Sequence, residues 1–377
     1  MRWPTSEPPE IHLLTRFLAQ LKRRASNYGA FICPPHLLRG SAVVTTSGIF
    51  GARLHSTDMN SISTSSTSAI TSSGRVCAVV VTFRRPECLC ECLSGLQSQT
   101  RPVDHILVVD NASGDGTPDL VAREFAGVEV VVLPENGGGA GGFYEGMKRA
   151  HEAGFEWIWV MDDDGVPARD CLEQMMAYAA PMTAMVPLQQ DSDGRQYGFF
   201  LWRGHNVDVT EEIVRAGQAR QGAFPFAFVG PLMSRDIIDQ VGLPNPEFFI
   251  WFDDWEFALR IRLKTRARIV AVPKALFYHD FGGKSVERRF LGRTTRRSAQ
   301  QPWKTYYETR NQLYTFTRTR KRPRELWFYA RNQIKPLIGD ILFEPDRFER
   351  VRLRFKGVFD GLFGRLGKRV EPTASKK

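Results

Sequence analysis

The sequence predicts an α/β protein built on a doubly wound, largely parallel sheet. Apolar strand-like runs alternate four times with helically spaced segments between residues 75 and 164, the pattern of a doubly wound unit. The strand-like runs end in polar residues (Thr82 and Arg84, Asp110 and Asn111, Asn136, Asp162–Asp164), where such sheets bind ligands. Hydrophobic residues make up 42% and charged residues 24%, which excludes wholesale disorder. No uninterrupted apolar run reaches about 18 residues, so a transmembrane helix is excluded.

Val76–Val81 is an almost unbroken apolar run, as expected of a strand buried on both faces. Helical spacing follows over 87–98, and Ile106–Val109 reads as a second strand ending in Asp110. Residues 117–125 are expected to be helical, 128–133 a third strand and 142–153 a helix. Trp157–Met161 reads as a fourth strand, running into Asp162-Asp163-Asp164.

Gly137, Gly138, Gly139, Gly141 and Gly142 crowd between the third strand and the next helix. Glycine lets a backbone approach a ligand closely, and a helix start behind it favours phosphate; the plain alternative is a flexible turn. A dinucleotide-binding loop would instead follow the first strand. That place holds Thr82-Phe83-Arg84-Arg85, which excludes a Rossmann dehydrogenase.

Three consecutive carboxylates at a strand end repel one another and call for a compensating cation. Oxygen donors favour a hard ion, Mg²⁺ or Mn²⁺, against the alternative of a solvated acidic turn. In Trp251-Phe252-Asp253-Asp254-Trp255 two acids open a helical stretch among aromatics, which can raise a carboxylate pKa toward a general base's range. A helix cap is the alternative for Asp253. His279 follows a strand-like stretch, where it can complete a metal shell.

In this order the pieces resemble the family 2 inverting glycosyltransferases of GT-A fold, a Rossmann-like fold that binds nucleotide-diphosphate sugars. The matching motifs are Ala78-Val79-Val80-Val81-Thr82-Phe83-Arg84-Arg85, Val108-Val109-Asp110-Asn111-Ala112-Ser113, Asn136-Gly137-Gly138, the acidic triplet, and residues 251–260. Asn136-Gly137-Gly138-Gly139-Ala140-Gly141-Gly142-Phe143, Trp251-Phe252-Asp253-Asp254, His279 and Tyr306-Tyr307-Glu308-Thr309-Arg310-Asn311 are closest in look to actinobacterial galactofuranosyltransferases of cell-wall assembly. Related rhamnosyltransferases share most of these elements.

The resemblance implies UDP-galactofuranose as donor, with dTDP-rhamnose as runner-up, and a polyprenyl-diphosphate-linked glycan as acceptor. It implies donor binding by Thr82, Arg84, Asp110, Asn111, Asn136, Gly137, Gly138 and Asp163. Asp162, Asp164 and His279 would hold Mg²⁺ or Mn²⁺, and Asp254 would be the catalytic base. Trp251, Asp253, Trp303, Lys304, Arg310 and Asn311 would serve the acceptor side, the last four also as candidates for the diphosphate. The resemblance spans about residues 75–311, the expected catalytic domain.

Residues 281–377 hold 25 Lys/Arg against 9 Asp/Glu, whereas residues 1–280 hold 26 against 32. The basic excess therefore belongs to the C-terminal quarter, a composition that meets something anionic. Within 312–377, Arg350, Arg352, Arg354 and Lys356 interleave with Val351, Leu353 and Phe355, and Leu362, Phe363 and Leu366 continue an apolar stripe. This predicts a basic amphipathic helical region on an anionic membrane surface, hence a peripheral enzyme on the inner, cytoplasmic face of the membrane. The alternatives are helices packed on the catalytic body and, in a different class, nucleic-acid binding, against which the acidic catalytic body argues. Residues 1–74 are expected to be a disordered extension, because ten of the sixteen residues 59–74 are Ser or Thr. The amphipathic stretch 11–24 allows a targeting helix, and translation starting at Met59 is the sharper expectation. The spacing of the six cysteines suggests neither a disulfide framework nor a metal cluster.

Overall fold

A computed structural model describes residues 74–202, 206–280, 285–290, 292–298, 300–320 and 323–373. The expectations for the stretch 11–24, the Ser/Thr-rich segment up to residue 73 and Met59 lie outside them.

The first half follows the alternation in the sequence: β1 (Val76–Thr82), α1 (Pro86–Gln97), β2 (His105–Asp110), α2 (Thr117–Glu124), β3 (Val128–Val132), α3 (Gly138–Glu152) and β4 (Trp157–Asp162). There follow β5 (Gly165–Pro167), α4 (Cys171–Met176), β6 (Thr183–Gln190), β7 (Gln196–Tyr197), β8 (Phe200–Trp202), β9 (Asn206–Asp208), α5 (Thr210–Ala216), β10 (Arg220–Gln221) and β11 (Leu232–Ser234). The sheet-bearing part closes with α6 (Arg235–Val241), α7 (Asp253–Lys264) and β12 (Arg268–His279). A hairpin of β13 (Ser285–Phe290) and β14 (Arg293–Ser298) leads to α8 (Pro302–Tyr314), a π-helical turn over Thr315–Arg320, α9 (Pro323–Phe343) and α10 (Arg347–Phe363).

One mixed sheet runs in the order β10-β12-β6-β11-β4-β1-β2-β3. β4, β1, β2 and β3 are mutually parallel, and β11 lies antiparallel between β4 and β6. Side chains of β1 alternate between two apolar layers. Cys77, Val79 and Val81 face Phe143 and Met147 of α3, while Val76, Ala78 and Val80 face Leu89, Leu93 and Leu96 of α1. Burial on both faces is why this strand reads as a continuous apolar run. The five cysteines among the described residues are free thiols.

α3 begins four residues before the expected 142–153. Gly138 takes φ +70°, and a Cβ there would stand 1.9 Å from the carbonyl oxygen of Phe249. The Ala140 amide donates to that same oxygen at 3.1 Å. Gly142 then lets the helix lie on β1, because a Cβ would come within 2.4 Å of Val81 Cγ1. The glycine-rich segment is thus neither a flexible turn nor an open phosphate cradle: its bare backbone receives the loop before α7.

The C-terminal helices form a small second core. Trp303, Tyr306 and Tyr307 of α8 pack with Phe249 and with Leu353 of α10. α8 runs across residue 311, where the catalytic domain is expected to end. The basic face expected of α10 is partly turned inward. Arg350 and Arg354 are buried, Arg350 pairing with Asp346 at 2.7 Å and Arg354 with Asp340 of α9 at 2.6 Å. Burying a guanidinium is tolerable because a carboxylate meets it there.

Candidate active site

β1, β2 and β4 end level with one another: Thr82 is in register with Asp110, and Val81 with Asp162. Their carboxyl ends are the edge at which open α/β sheets bind ligands. There Asp163 is buried and accepts from the Thr82 hydroxyl at 2.7 Å, the Phe83 amide at 3.4 Å and Arg85 Nη1 at 3.3 Å. The same Arg85 nitrogen lies 2.6 Å from Asp164 Oδ2. Asp163 therefore ties the end of β4 to the end of β1, and both Thr82 and Asp163 spend side-chain hydrogen bonds on each other.

Burial raises the pKa of Asp162 well above the usual carboxylate range, helped by the charges of Asp164, Asp163 and Asp253. Asp164 goes the other way: burial opposes ionisation, but the His279 hydrogen bond and charge, with Arg85, outweigh it and bring the pKa down. His279 Nε2 stands 3.5 Å from Asp164 Oδ1. Tyr197 holds the other side of His279, through a hydrogen bond to its carbonyl oxygen and a 3.3 Å contact with Nδ1.

No three His, Cys, Asp or Glu side chains among the described residues are already gathered as a cation cage. The donor set of Asp162, Asp164 and His279 nevertheless fits a hard divalent ion in its chemistry. Three clustered carboxylates meet one guanidinium, and burial together with the neighbouring carboxylates disfavours the charged form of Asp162, a cost that a bound cation would offset.

The second acidic pair stands at the start of α7, where the approaching chain is strained. Phe249, Trp251 and Phe252 have φ of 67°, 65° and 66°, a left-handed region costly for bulky residues and concentrated at functional sites. Arg84 and Ala112, at the β1 and β2 ends, share this conformation. Asp253 is buried and its pKa is raised, by burial first and by Asp254 second, while its own amide and that of Asp254 pull the other way. Phe252, not Asp253, takes the N-cap position, without a side-chain cap hydrogen bond, and Asp253 is instead an acid of the first helical turn. Asp254 accepts from the Trp255 amide at 2.6 Å. Burial pushes its pKa up to about 6, against the lowering effect of backbone donors including Phe228.

The strained loop is held from α8. Asn311 Nδ2 donates to the carbonyl oxygens of Phe248, Ile250 and Trp251 at 3.0, 2.8 and 2.9 Å. Arg310 donates to those of Glu247 and Phe248 at 3.1 and 2.8 Å and lies against the Tyr306 and Tyr307 rings. Both side chains are fully buried. Expected on the acceptor side, they stand behind the loop: Asn311 Nδ2 and Arg310 Nη2 donate to its backbone, while Arg310 Nε donates to Asn311 Oδ1 and Nη1 to the Gly367 carbonyl.

Lys304 sits 5.5 Å over both the Trp251 and Trp303 rings. Burial lowers its pKa, with help from the charge of Arg85, the residue that pairs with Asp163 and Asp164. Asp110 is fully buried and accepts from the Ser113 amide and hydroxyl, which leaves it shaping the 110–113 turn. Arg84 donates to the Ser113 carbonyl at 3.1 Å. Asn136 accepts from the Gly138 amide at 2.8 Å, and Gly137 precedes α3 directly. Asn111 buries its side-chain oxygen with no hydrogen-bond partner. The structure thus gathers the triplet, His279 and Asp253 on one edge. Arg85 and Tyr197 are the contributors that the list of candidates lacked. Arg85 carried a signal, as a cation following β1 when the triplet needed one; Tyr197, in a two-residue strand, carried none.

Residues 77–241 match the model of glycosyl transferase family 2. Galactofuranosyltransferase GlfT1 of Mycolicibacterium smegmatis is 30% identical over 249 residues, covering 63% of this chain and 82% of that protein. The dTDP-rhamnosyl transferase RfbF of Shigella flexneri is 25% identical over 297 residues, covering 77% and 96%. Among solved structures, the mannosyltransferase PcManGT of Pyrobaculum calidifontis, in complex with GDP-Man and Mn²⁺, is 16% identical with a TM-score of 0.47, covering 78% and 88%.

Proposed function

Since the chain belongs to glycosyl transferase family 2, with its GT-A fold, we propose that it is an inverting hexosyltransferase acting on a lipid-linked glycan of the cell envelope. The donor is UDP-galactofuranose, as the name of the GlfT1 relative suggests, and residues 75–311 form the catalytic unit. The observation that carries the reading is Asp254. It is a carboxylate whose pKa burial pushes up to about 6, at the end of a strained aromatic loop, beside an Asp253 whose charge is felt at Asp162.

Asp254 takes the proton of the acceptor hydroxyl. As that oxygen forms its bond to the anomeric carbon, the bond to the donor phosphate breaks on the opposite face and the configuration inverts. One base is enough, because the nucleotide diphosphate leaves as an anion and, unlike a glycosidase's alcohol, needs no proton. Asp162, Asp164 and His279 would hold Mg²⁺ or Mn²⁺, which when bound offsets the charge on the departing diphosphate. Lys304 adds a positive charge on the same edge. Asn111 offers its unpartnered oxygen to a donor hydroxyl or base N–H, and Trp251, flanked by Lys304, forms an apolar wall for the acceptor.

An acceptor anchored in lipid places the enzyme at the inner face of the membrane; no helix among the described residues is long and apolar enough to cross one. The RfbF relative favours dTDP-rhamnose as the second reading. The test is transfer from UDP-galactofuranose and from dTDP-rhamnose, with Mn²⁺, to a membrane fraction containing polyprenyl-diphosphate-linked glycan. Galactofuranose incorporation without rhamnose is expected, and rhamnose incorporation alone would replace the donor.

A further inference from the structure

We propose that α10 is the membrane-docking element, and that it docks through phenylalanines rather than through the arginines that interleave with them. Phe348, Phe355, Phe359, Leu362 and Phe363 are all exposed, Phe348 to 82%, Phe355 to 64% and Phe363 to 62%. Their spacing puts them on one helix face. The opposite face is buried and holds Arg350, Leu353, Arg354, Gly357, Asp360 and Gly361.

Two glycines explain how a polar face can be the inner one. A Cβ at Gly357 would stand 2.8 Å from the Tyr306 carbonyl oxygen, and one at Gly361 would stand 2.7 Å from that of Arg310. α10 therefore lies backbone-to-backbone on α8, with Arg350, Arg354 and Asp360 paired inside and its aromatic rings outside. In water this arrangement exposes apolar area that a soluble surface ordinarily hides.

The charges around the stripe select the occupant. Arg352 lies on the exposed arc, Arg347 stacks 5.5 Å over Phe348, and Arg365 stacks 5.0 Å over Phe359. Guanidinium groups bordering a ring face suit a headgroup layer: the rings enter the acyl boundary while the cations meet lipid phosphate. A bilayer bearing anionic lipid matches both chemistries across the roughly 25 Å of a 17-residue helix. The choice of a membrane over a protein rests on the lipid-linked acceptor proposed above.

The test is co-sedimentation of the full chain with vesicles of phosphatidylcholine alone and of phosphatidylcholine with phosphatidylglycerol. The wild type should bind the anionic vesicles at least about tenfold more tightly. A variant carrying Phe355→Ser, Phe359→Ser and Phe363→Ser should lose about a thousandfold in affinity, from about tenfold for each buried ring. Val132→Ser, at an exposed valine on β3, should bind as the wild type does. Circular dichroism and transfer to a water-soluble acceptor should be unchanged in the triple variant, because the stripe faces away from α8. Wild type left in the supernatant, or a triple variant that still binds, would overturn the proposal. So would a wild-type oligomer that the triple variant dissociates while neither binds vesicles, which makes the face a protein contact. A chain that binds as described but transfers no sugar would refute the reaction and leave the docking surface standing.

Discussion

Asp162–Asp164 and Asp253–Asp254 occupy one edge of the molecule and are held in opposite ways. The triplet ends a central parallel strand, and its restraints come from the same sheet: Thr82, Phe83 and Arg85 beyond β1, and His279 at the end of β12. The pair opens a helix after a loop with three bulky residues in the left-handed region, and that loop is gripped from outside the sheet by Arg310 and Asn311. One set of carboxylates is placed by strand register. The other is placed by side chains more than fifty residues downstream, against backbone strain. The difference predicts that binding of the donor and chemistry at the acceptor separate under mutation.

The largest separation is expected between Asp254→Asn and Asp162→Asn. The first should lower transfer by at least about a thousandfold, near the upper range for general-base catalysis, with nucleotide affinity by calorimetry unchanged. The second should weaken Mn²⁺-dependent nucleotide binding itself. Equal loss of nucleotide binding in both would erase the distinction.

Asn311→Ala comes next. It removes three hydrogen bonds from the loop and should cost about a hundredfold in kcat through misplacement of Asp254, with donor binding retained. Unchanged kcat in a folded Asn311→Ala protein would show that the strain is self-supporting.

The smallest effect is graded with pH. A base works only when ionised, so transfer by the wild type should fall about tenfold per unit as the pH drops below about 6 and level off above it. A rate profile flat down to pH 5 would assign the base elsewhere.

Most of the donor half was legible in the sequence, because a strand buried on both faces must be apolar throughout and its polar ending then marks the sheet edge. The triplet stood out on those grounds, and the Asp253–Asp254 pair as two acids opening a helical stretch among aromatics. The start of α3 did not, since four glycines argue against a helix until Phe249 arrives from more than a hundred residues away to accept the Ala140 amide. β11, three residues long, leaves too short a trace for periodicity, although it joins β4 to β6. The alternation in α10 was read as basic residues facing a membrane. Its partners for Arg354 and Arg350 are Asp340, on another helix, and Asp346, and only the packed structure shows which face they take inside. The places of Arg310 and Asn311 were hidden for the same reason: a side chain that donates to backbone carbonyls leaves no complementary residue type to search for.

The grip on the catalytic loop also sets an order of events during synthesis. By the time His279 has been added, every carboxylate of the site is in the chain, and the sheet that carries the triplet is complete. The loop before α7 still lacks Arg310 and Asn311, and beyond them the segment near Gly367, whose amide donates to the Glu247 carbonyl and whose own carbonyl accepts from Arg310. Once β12 has left the ribosome, the edge that carries the triplet can form while the loop before α7 still lacks these restraints. The loop before α7 therefore receives its last restraints only from the C-terminal helices, the same helices whose outer face is proposed to meet the lipid.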